Sequence, residues 1–139
     1  MKTISATKLI EVSFSDIDSL HIVWHGKYVK YFEDAREYFG KKYNFGYMTF
    51  YENKYMLPLV DLEISYKKMV AYDEILKVEI TYVPTESAKV IFTYKIFNQT
   101  NEIVCTGKSV QVITTIEKKL VLKNPDFVKK WIKKWIKSN

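Results

Sequence analysis

"DSLHIVWHGKYVKYFEDAREYFG", residues 18–40, sets an apolar step (Ile22 to Trp24) between Asp18 and His25, then breaks into a helical rhythm. Tyr28, Tyr31, Phe32, Ala35, Tyr38 and Phe39 return at three- and four-residue steps, while Glu33, Asp34, Arg36 and Glu37 occupy most of the remaining positions. Apolar residues at that spacing make one stripe on an α-helix, so a helix is expected from Gly26 to about Lys41, its aromatics packed on a sheet. No proline interrupts it, and Gly40 or Gly46 is the expected stop. Asp18 and His25, the latter one of only two histidines, therefore stand where a loop enters a long helix.

The chain around this helix alternates in strand fashion. Val60, Leu62, Ile64 and Tyr66 share one face, with Asp61, Glu63 and Ser65 on the other; Leu76, Val78, Ile80 and Tyr82 repeat the pattern. "KVIFTYKIF" (89–97) is apolar on both sides and suits a central strand; "IVCTGKSVQVIT" (103–114) reads as a fourth strand, with Gly107 a bulge or a close approach. Short links rich in Pro, Asn, Asp and Ser join them at 71–74, 84–87 and 98–102, so residues 60–114 are read as an antiparallel meander. An earlier strand spans Lys8 to Ser15. The segment 43–58, crowded with Tyr, Phe and Met but lacking a period, either lines an apolar pocket or extends the core.

With 139 residues and 47% apolar composition, one domain with a sizeable core is expected. The start of the chain shows no secretory pattern, and no apolar run is long enough to span a bilayer, which points to a soluble, cytoplasmic protein. Cys105, the only cysteine, reads as a small buried hydrophobe in a reducing compartment. The net charge of +6 resides entirely in the segment from Glu117 onward, where eight lysines face Glu117 and Asp126. The rest of the chain is balanced, which argues against nucleic acid as a partner.

A strand, a long helix and then four antiparallel strands is the order of the hot-dog fold, an α+β architecture in which a curved sheet wraps one central helix. The quoted stretch resembles the signature of 4-hydroxybenzoyl-CoA thioesterase-type hot-dog proteins: Asp, an apolar pair, an aromatic, His, then a helix reading Tyr-x-x-Tyr-Phe-Glu-x-Ala-Arg. "LPLVDLEISYKKMVAYDEILKVE" (57–79) is similar to the family's second strand and following turn. The likeness covers about residues 8 to 115 and implies an acyl thioesterase acting on an acyl-CoA or acyl-carrier-protein thioester, without cofactor or metal, as a homodimer or homotetramer with its site between subunits. The rival is a non-catalytic acyl-binding module with the same pocket.

Thioester hydrolysis needs a nucleophile, or a base for water, together with donors for the carbonyl oxygen that becomes an oxyanion. By the resemblance, Asp18 is the catalytic carboxylate, either as nucleophile or as general base. His25 matches a position that orients substrate or water, its backbone N–H serving as oxyanion donor. Trp24 and Gly26 flank that donor as oxyanion or substrate-binding residues, the glycine leaving room for a carbonyl to approach the unpaired N–H groups of the helix start. Lys67 and Lys68 are candidates to contact phosphates; "PTESAK" (84–89) lacks the Arg/Lys cluster that some coenzyme A-specific relatives carry. Asp16 reads as a loop hydrogen-bonding residue. His21 stands where relatives often have Gly. Two histidines and one cysteine offer no metal spacing, and four glycines form no phosphate loop.

Residues 1–122 are taken as the hot-dog domain, and 123–139 as a basic amphipathic helix belonging to it, with Asn124 as its cap and Pro125 in its first turn. Phe127, Val128, Trp131, Ile132, Trp135 and Ile136 form its apolar side. Packing of that side on the body, or on a neighbouring subunit, is preferred to a cationic platform for an acidic carrier protein or an interfacial membrane helix.

Overall fold

The alternating segments assemble into one five-stranded antiparallel sheet in a computed structural model that describes residues 2–137. In chain order the elements are β1 (Ser5–Glu11), α1 (Lys27–Tyr43), α2 (Tyr47–Glu52), β2 (Tyr55–Met56), β3 (Leu59–Tyr66), β4 (Ile75–Val83), β5 (Lys89–Phe97), β6 (Ile103–Val112), β7 (Thr114–Thr115) and α3 (Asp126–Trp135). The sheet runs β1-β4-β5-β6-β3, and β2 pairs with β7 in a small separate ladder. Among the described residues no helix is long and apolar enough to cross a membrane.

The aromatic stripe of α1 lies against the sheet face built by Leu76, Val78 and Ile80 of β4 and by Val90, Phe92, Tyr94 and Ile96 of β5, all buried. Phe32 stacks on Tyr94 with ring centroids 4.3 Å apart, and Phe39 meets Phe92 edge-on at 4.9 Å. Gly107 of β6 pairs in register with Ile64 and Tyr94, and a Cβ there would stand 2.4 Å from the Phe32 ring. The glycine therefore marks a close approach of helix to sheet, without a bulge. A long helix held in this way against an antiparallel sheet is the hot-dog arrangement.

The structure corrects several details. Residues 60–114 are not a simple meander: β4, β5 and β6 are consecutive neighbours, but β3 pairs with β6, on the far side from β4. Alternation specifies which face a residue occupies and says nothing of which strand lies beside it. The link from β3 crosses the end of the sheet, tied down by the Val23 N–H donating to the Val70 carbonyl at 2.7 Å and by an Ile22–Ala71 bridge. Helix α1 runs past Gly40 to Tyr43 and is closed by Asn44 in the left-handed region (φ 54°), since Gly40 is needed where the backbone of Gly46 packs on it. The first strand stops at Glu11, because the Asp16 carboxylate accepts the Ser13 N–H and winds residues 14–16 into a 3-10 turn.

The segment after α1 does both things its composition allowed. Phe45 and Phe50 are buried in the core, while Tyr47, Met48 and Tyr51 stay exposed on α2. Helix α3 lays Val128 and Trp131 into the same core, joined by Ile136 at its C-cap. Trp131 stacks on Phe45 at 3.8 Å, and its indole N–H donates to the Tyr43 carbonyl at 2.8 Å. Its N-cap is Pro125, not Asn124, whose Oδ1 is buried without a partner among the described residues.

Candidate active site

The loop ahead of α1 is a tight hairpin. The Asp18 N–H donates to the Ile22 carbonyl at 2.9 Å, the His21 N–H returns to the Asp18 carbonyl at 3.0 Å, and Ile17 bridges Val23. His21 takes φ 63°, the left-handed conformation that glycine adopts most readily, and its side chain is exposed. Asp18 is half-buried. Its Oδ1 accepts the Leu20 N–H at 2.8 Å, and its Oδ2 has no partner among the described residues.

Asp16, two residues earlier, has a different character. It is buried, and its Oδ2 accepts both the Tyr31 hydroxyl (2.9 Å) and the Ser13 N–H (3.0 Å), with Lys27 Nζ 3.4 Å from Oδ1. Burial alone would raise its pKa; the Ser13 N–H, the Tyr31 hydroxyl and Lys27 outweigh it and hold the carboxyl below its ordinary value. The same burial and the same carboxylate push Tyr31 upward. Asp16 thus anchors the hairpin onto α1, and its carbonyl also accepts the Trp24 N–H at 2.9 Å.

Helix α1 starts at Gly26, which caps it without any side-chain bond. The Trp24 carbonyl accepts the Lys27 N–H at 2.9 Å, and the His25 carbonyl accepts the Tyr66 hydroxyl at 2.9 Å. The N–H groups of His25 and Gly26 have no partner among the described residues. Two successive donors are therefore unpaired at the positive end of a 17-residue helix. The Trp24 indole lies over Gly26, where an added Cβ would meet it at 2.2 Å, and tilts against the His25 ring at 5.1 Å. The His25 ring is exposed, and among the described residues no carboxylate orients it.

Around this corner Phe14, Leu20, Trp24, Tyr66, Met69 and Tyr72 remain exposed, Phe14 meeting Tyr72 edge-on at 6.0 Å. Beneath it Tyr28 is buried, its hydroxyl raised to about 12 by desolvation, and Cys105 is likewise buried and raised to about 12. Lys68 pairs with Glu102, whose carboxyl falls to about 2 chiefly through that contact. Lys67 is exposed beside Tyr66 and has no ion pair among the described residues. Residues suited to hold a metal, three or more of His, Cys, Asp and Glu together, are not found among the described residues.

Three concavities lie elsewhere. One of about 630 Å³ opens between α1 and α2, where Arg36 donates to the Tyr94 hydroxyl at 3.0 Å and Tyr94 shares a 2.7 Å hydrogen bond with Ser109. The other two, of about 910 and 440 Å³, flank α3. None includes Asp18, His25 or Gly26.

The sequence profile of the Thioesterase-like superfamily matches residues 12–132. The chain belongs to that superfamily. This thioesterase-like protein is 31% identical over 96 residues to the Bacillus subtilis protein YneP, covering 69% of its own length and 70% of YneP. It is 27% identical over 92 residues to the acyl-CoA thioesterase YbgC of Haemophilus influenzae, covering 66% of one chain and 68% of the other. Its fold superposes on a DHNA-CoA thioesterase from Staphylococcus aureus with a TM-score of 0.79 at 23% identity, covering 96% of this chain and 84% of that one. The sequence pattern singled out Asp18 and the helix entrance. It gave no warning of Tyr66 and Tyr31, whose hydroxyls reach the loop from distant positions.

Proposed function

We propose that this thioesterase-like protein hydrolyses an acyl-CoA thioester to the free acid and coenzyme A. The observation that supports it best is the pairing of a carboxylate with one uncommitted oxygen, Asp18, with two unpaired N–H groups at the start of α1. The thioester carbonyl oxygen accepts from the His25 and Gly26 N–H groups, which sit in the field of the helix dipole and strengthen their hold as the oxygen becomes negative. Either Asp18 attacks the carbonyl carbon, the thiolate leaves, and a water then cleaves the resulting mixed anhydride to release the acid and restore Asp18, or Asp18 takes a proton from the attacking water and the C–S bond breaks as the carbonyl reforms. On both routes the departing sulfur takes up the proton that water gives up. Trp24 walls the donor side. The His25 ring, which has no orienting carboxylate among the described residues, contributes less than its backbone.

Names of relatives support the coenzyme A carrier, as does the acyl-CoA thioesterase YbgC in particular. The corner around Asp18 is open and apolar-rimmed within one copy of the chain, which fits a site completed by a second copy. The test is free-thiol release from a panel of short, long and aromatic acyl-CoAs, with an acyl-carrier-protein thioester as a further arm. Release from at least one acyl-CoA by the purified protein supports the reading. Binding of the panel without release favours the acyl-binding module instead.

A further inference from the structure

A trans peptide group points its carbonyl and its N–H in opposite directions, so fixing one aims the other. At the entrance to α1 this applies to two successive peptides. The Trp24–His25 peptide has its carbonyl held by the Lys27 N–H, a bond local to the helix start. The His25–Gly26 peptide has its carbonyl held from outside the helix, by the hydroxyl of Tyr66 at the last position of β3, 41 residues away in sequence. The Tyr66 ring is itself set in place by Tyr28, edge-on at 5.3 Å. Desolvation raises the Tyr66 hydroxyl above its ordinary value, so it stays protonated and donating across the neutral range.

We infer that Tyr66 is a positioning residue that aims the Gly26 N–H at the thioester oxygen by clamping the opposite end of the same peptide group. The inference rests on the proposed hydrolysis at this corner. It has two physical parts. The clamp removes the freedom of the His25–Gly26 peptide to rotate, which matters where only a helix-capping glycine, without a side-chain cap, begins the helix. The hydroxyl also polarises the peptide, since a hydrogen bond accepted at the carbonyl strengthens the donor at the other end. A donor so aimed and polarised gains strength as charge builds on the substrate oxygen, so the hydroxyl acts on the transition state more than on bound substrate.

Tyr66→Phe keeps the ring against Tyr28 and removes only the hydroxyl. Loss of a whole oxyanion donor costs on the order of a hundredfold or more in kcat; Tyr66 acts one bond further away, and about a tenfold fall in kcat with KM within about twofold is expected. A second measurement separates aiming from simple packing. It uses two analogues made with the acyl group that the wild type releases fastest: a coenzyme A ketone with CH2 in place of sulfur, and a thioether with CH2 in place of the carbonyl. Tyr66→Phe should weaken the ketone by no more than about twofold, in step with KM, and leave the thioether unchanged, and the infrared band of the bound 13C-labelled ketone should shift back toward its position in water. Equal weakening of both analogues, or an unchanged kcat, overturns the assignment of Tyr66 while the wild-type turnover keeps the thioesterase reading. A wild type that releases thiol from no member of the panel overturns both together.

Discussion

Phe32 occupies the space that a side chain on Gly107 would need. A Cβ at Gly107 would stand 2.4 and 2.6 Å from two atoms of the Phe32 ring and 3.0 Å from the Glu63 carbonyl oxygen, while that ring also stacks on Tyr94. With Phe32 fully buried, the ring has nowhere to retreat. Gly107→Ala should therefore destabilise the protein by about 1–3 kcal/mol, as overpacking of a closed core does. Combining it with Phe32→Leu should cost less than the sum of the two single changes, because the smaller side chain yields the space. Denaturant midpoints of the four proteins in the cycle measure this; strict additivity would remove the contact as the cause.

Asp18 and Asp16 should separate cleanly in function. Asp18→Asn keeps the hairpin, because its Oδ1 can still accept the Leu20 N–H, and it should melt like the wild type while losing several orders of magnitude in kcat. His25→Ala leaves the backbone donors in place and should cost much less. Thiol-release kinetics on both variants, with matched melting curves, decide it. Comparable losses in the two would make the His25 ring an essential group, and near-normal turnover in Asp18→Asn would end the assignment of that carboxylate.

Asp16 should show itself in stability and in its pH dependence. Removing its charge should cost about 1–3 kcal/mol at neutral pH, the range for a buried hydrogen-bonded ion that loses its partners' full strength. Its folded pKa lies below the unfolded value near 3.8, so the stabilisation is present above that value and is lost as pH falls through the folded pKa. Urea titrations of wild type and Asp16→Asn should then differ most near pH 7 and converge in strong acid. A gap between them that persists unchanged below pH 3, roughly a unit under the ordinary carboxylate range, would show that charge is not its source.

These two aspartates also show where sequence reading reaches its limit. The helix was legible because its aromatic stripe is a local pattern, set by residues three and four apart that must share a face whatever surrounds them. The strands were legible for the same reason at period two. What separates Asp16 from Asp18 is the Tyr31 hydroxyl and Lys27, contacts made across the hairpin and the first turns of α1, and nothing in the aspartates themselves. Lys68 looked free because its partner Glu102 lies 34 residues away, and Tyr66 looked like one more buried strand residue because its carbonyl acceptor lies 41 away. The position of β3 beside β6 belongs to the same class. Local pattern gives faces; partners come from the assembled chain.

Assembly should be coupled to activity. Both edges of the sheet are open, and β3 carries exposed Leu59, Val60 and Tyr66 on the edge nearest the proposed site. A charge at Val60 should disfavour pairing along that edge, so Val60→Lys is expected to shift the protein toward monomer and to lower kcat in proportion. Light scattering run alongside thiol release checks it. A Val60→Lys monomer with full activity would show that one copy of the chain holds a complete site.

The C-terminal helix should behave as part of the core, with its lysines as a solvated outer face. Val128, Trp131 and Ile136 are buried at 2%, 7% and 1% exposure, and the Lys2 N–H ties the Ile136 carbonyl to the start of the chain at 2.8 Å. An apolar side already committed to Phe45, Tyr82 and Phe39 is not free to enter a bilayer. Trp131→Ala should therefore cost about 3–5 kcal/mol, the range for truncating a buried aromatic, and ending the chain after Asn124 should lower the melting temperature by at least as much. Anionic vesicles should produce no blue shift in tryptophan emission of the intact protein, and adding salt should change nothing that can be measured there. If the truncated chain melts unchanged and the intact one binds vesicles in a salt-sensitive way, the helix is a docking element and the packing of Trp131 is not what holds it.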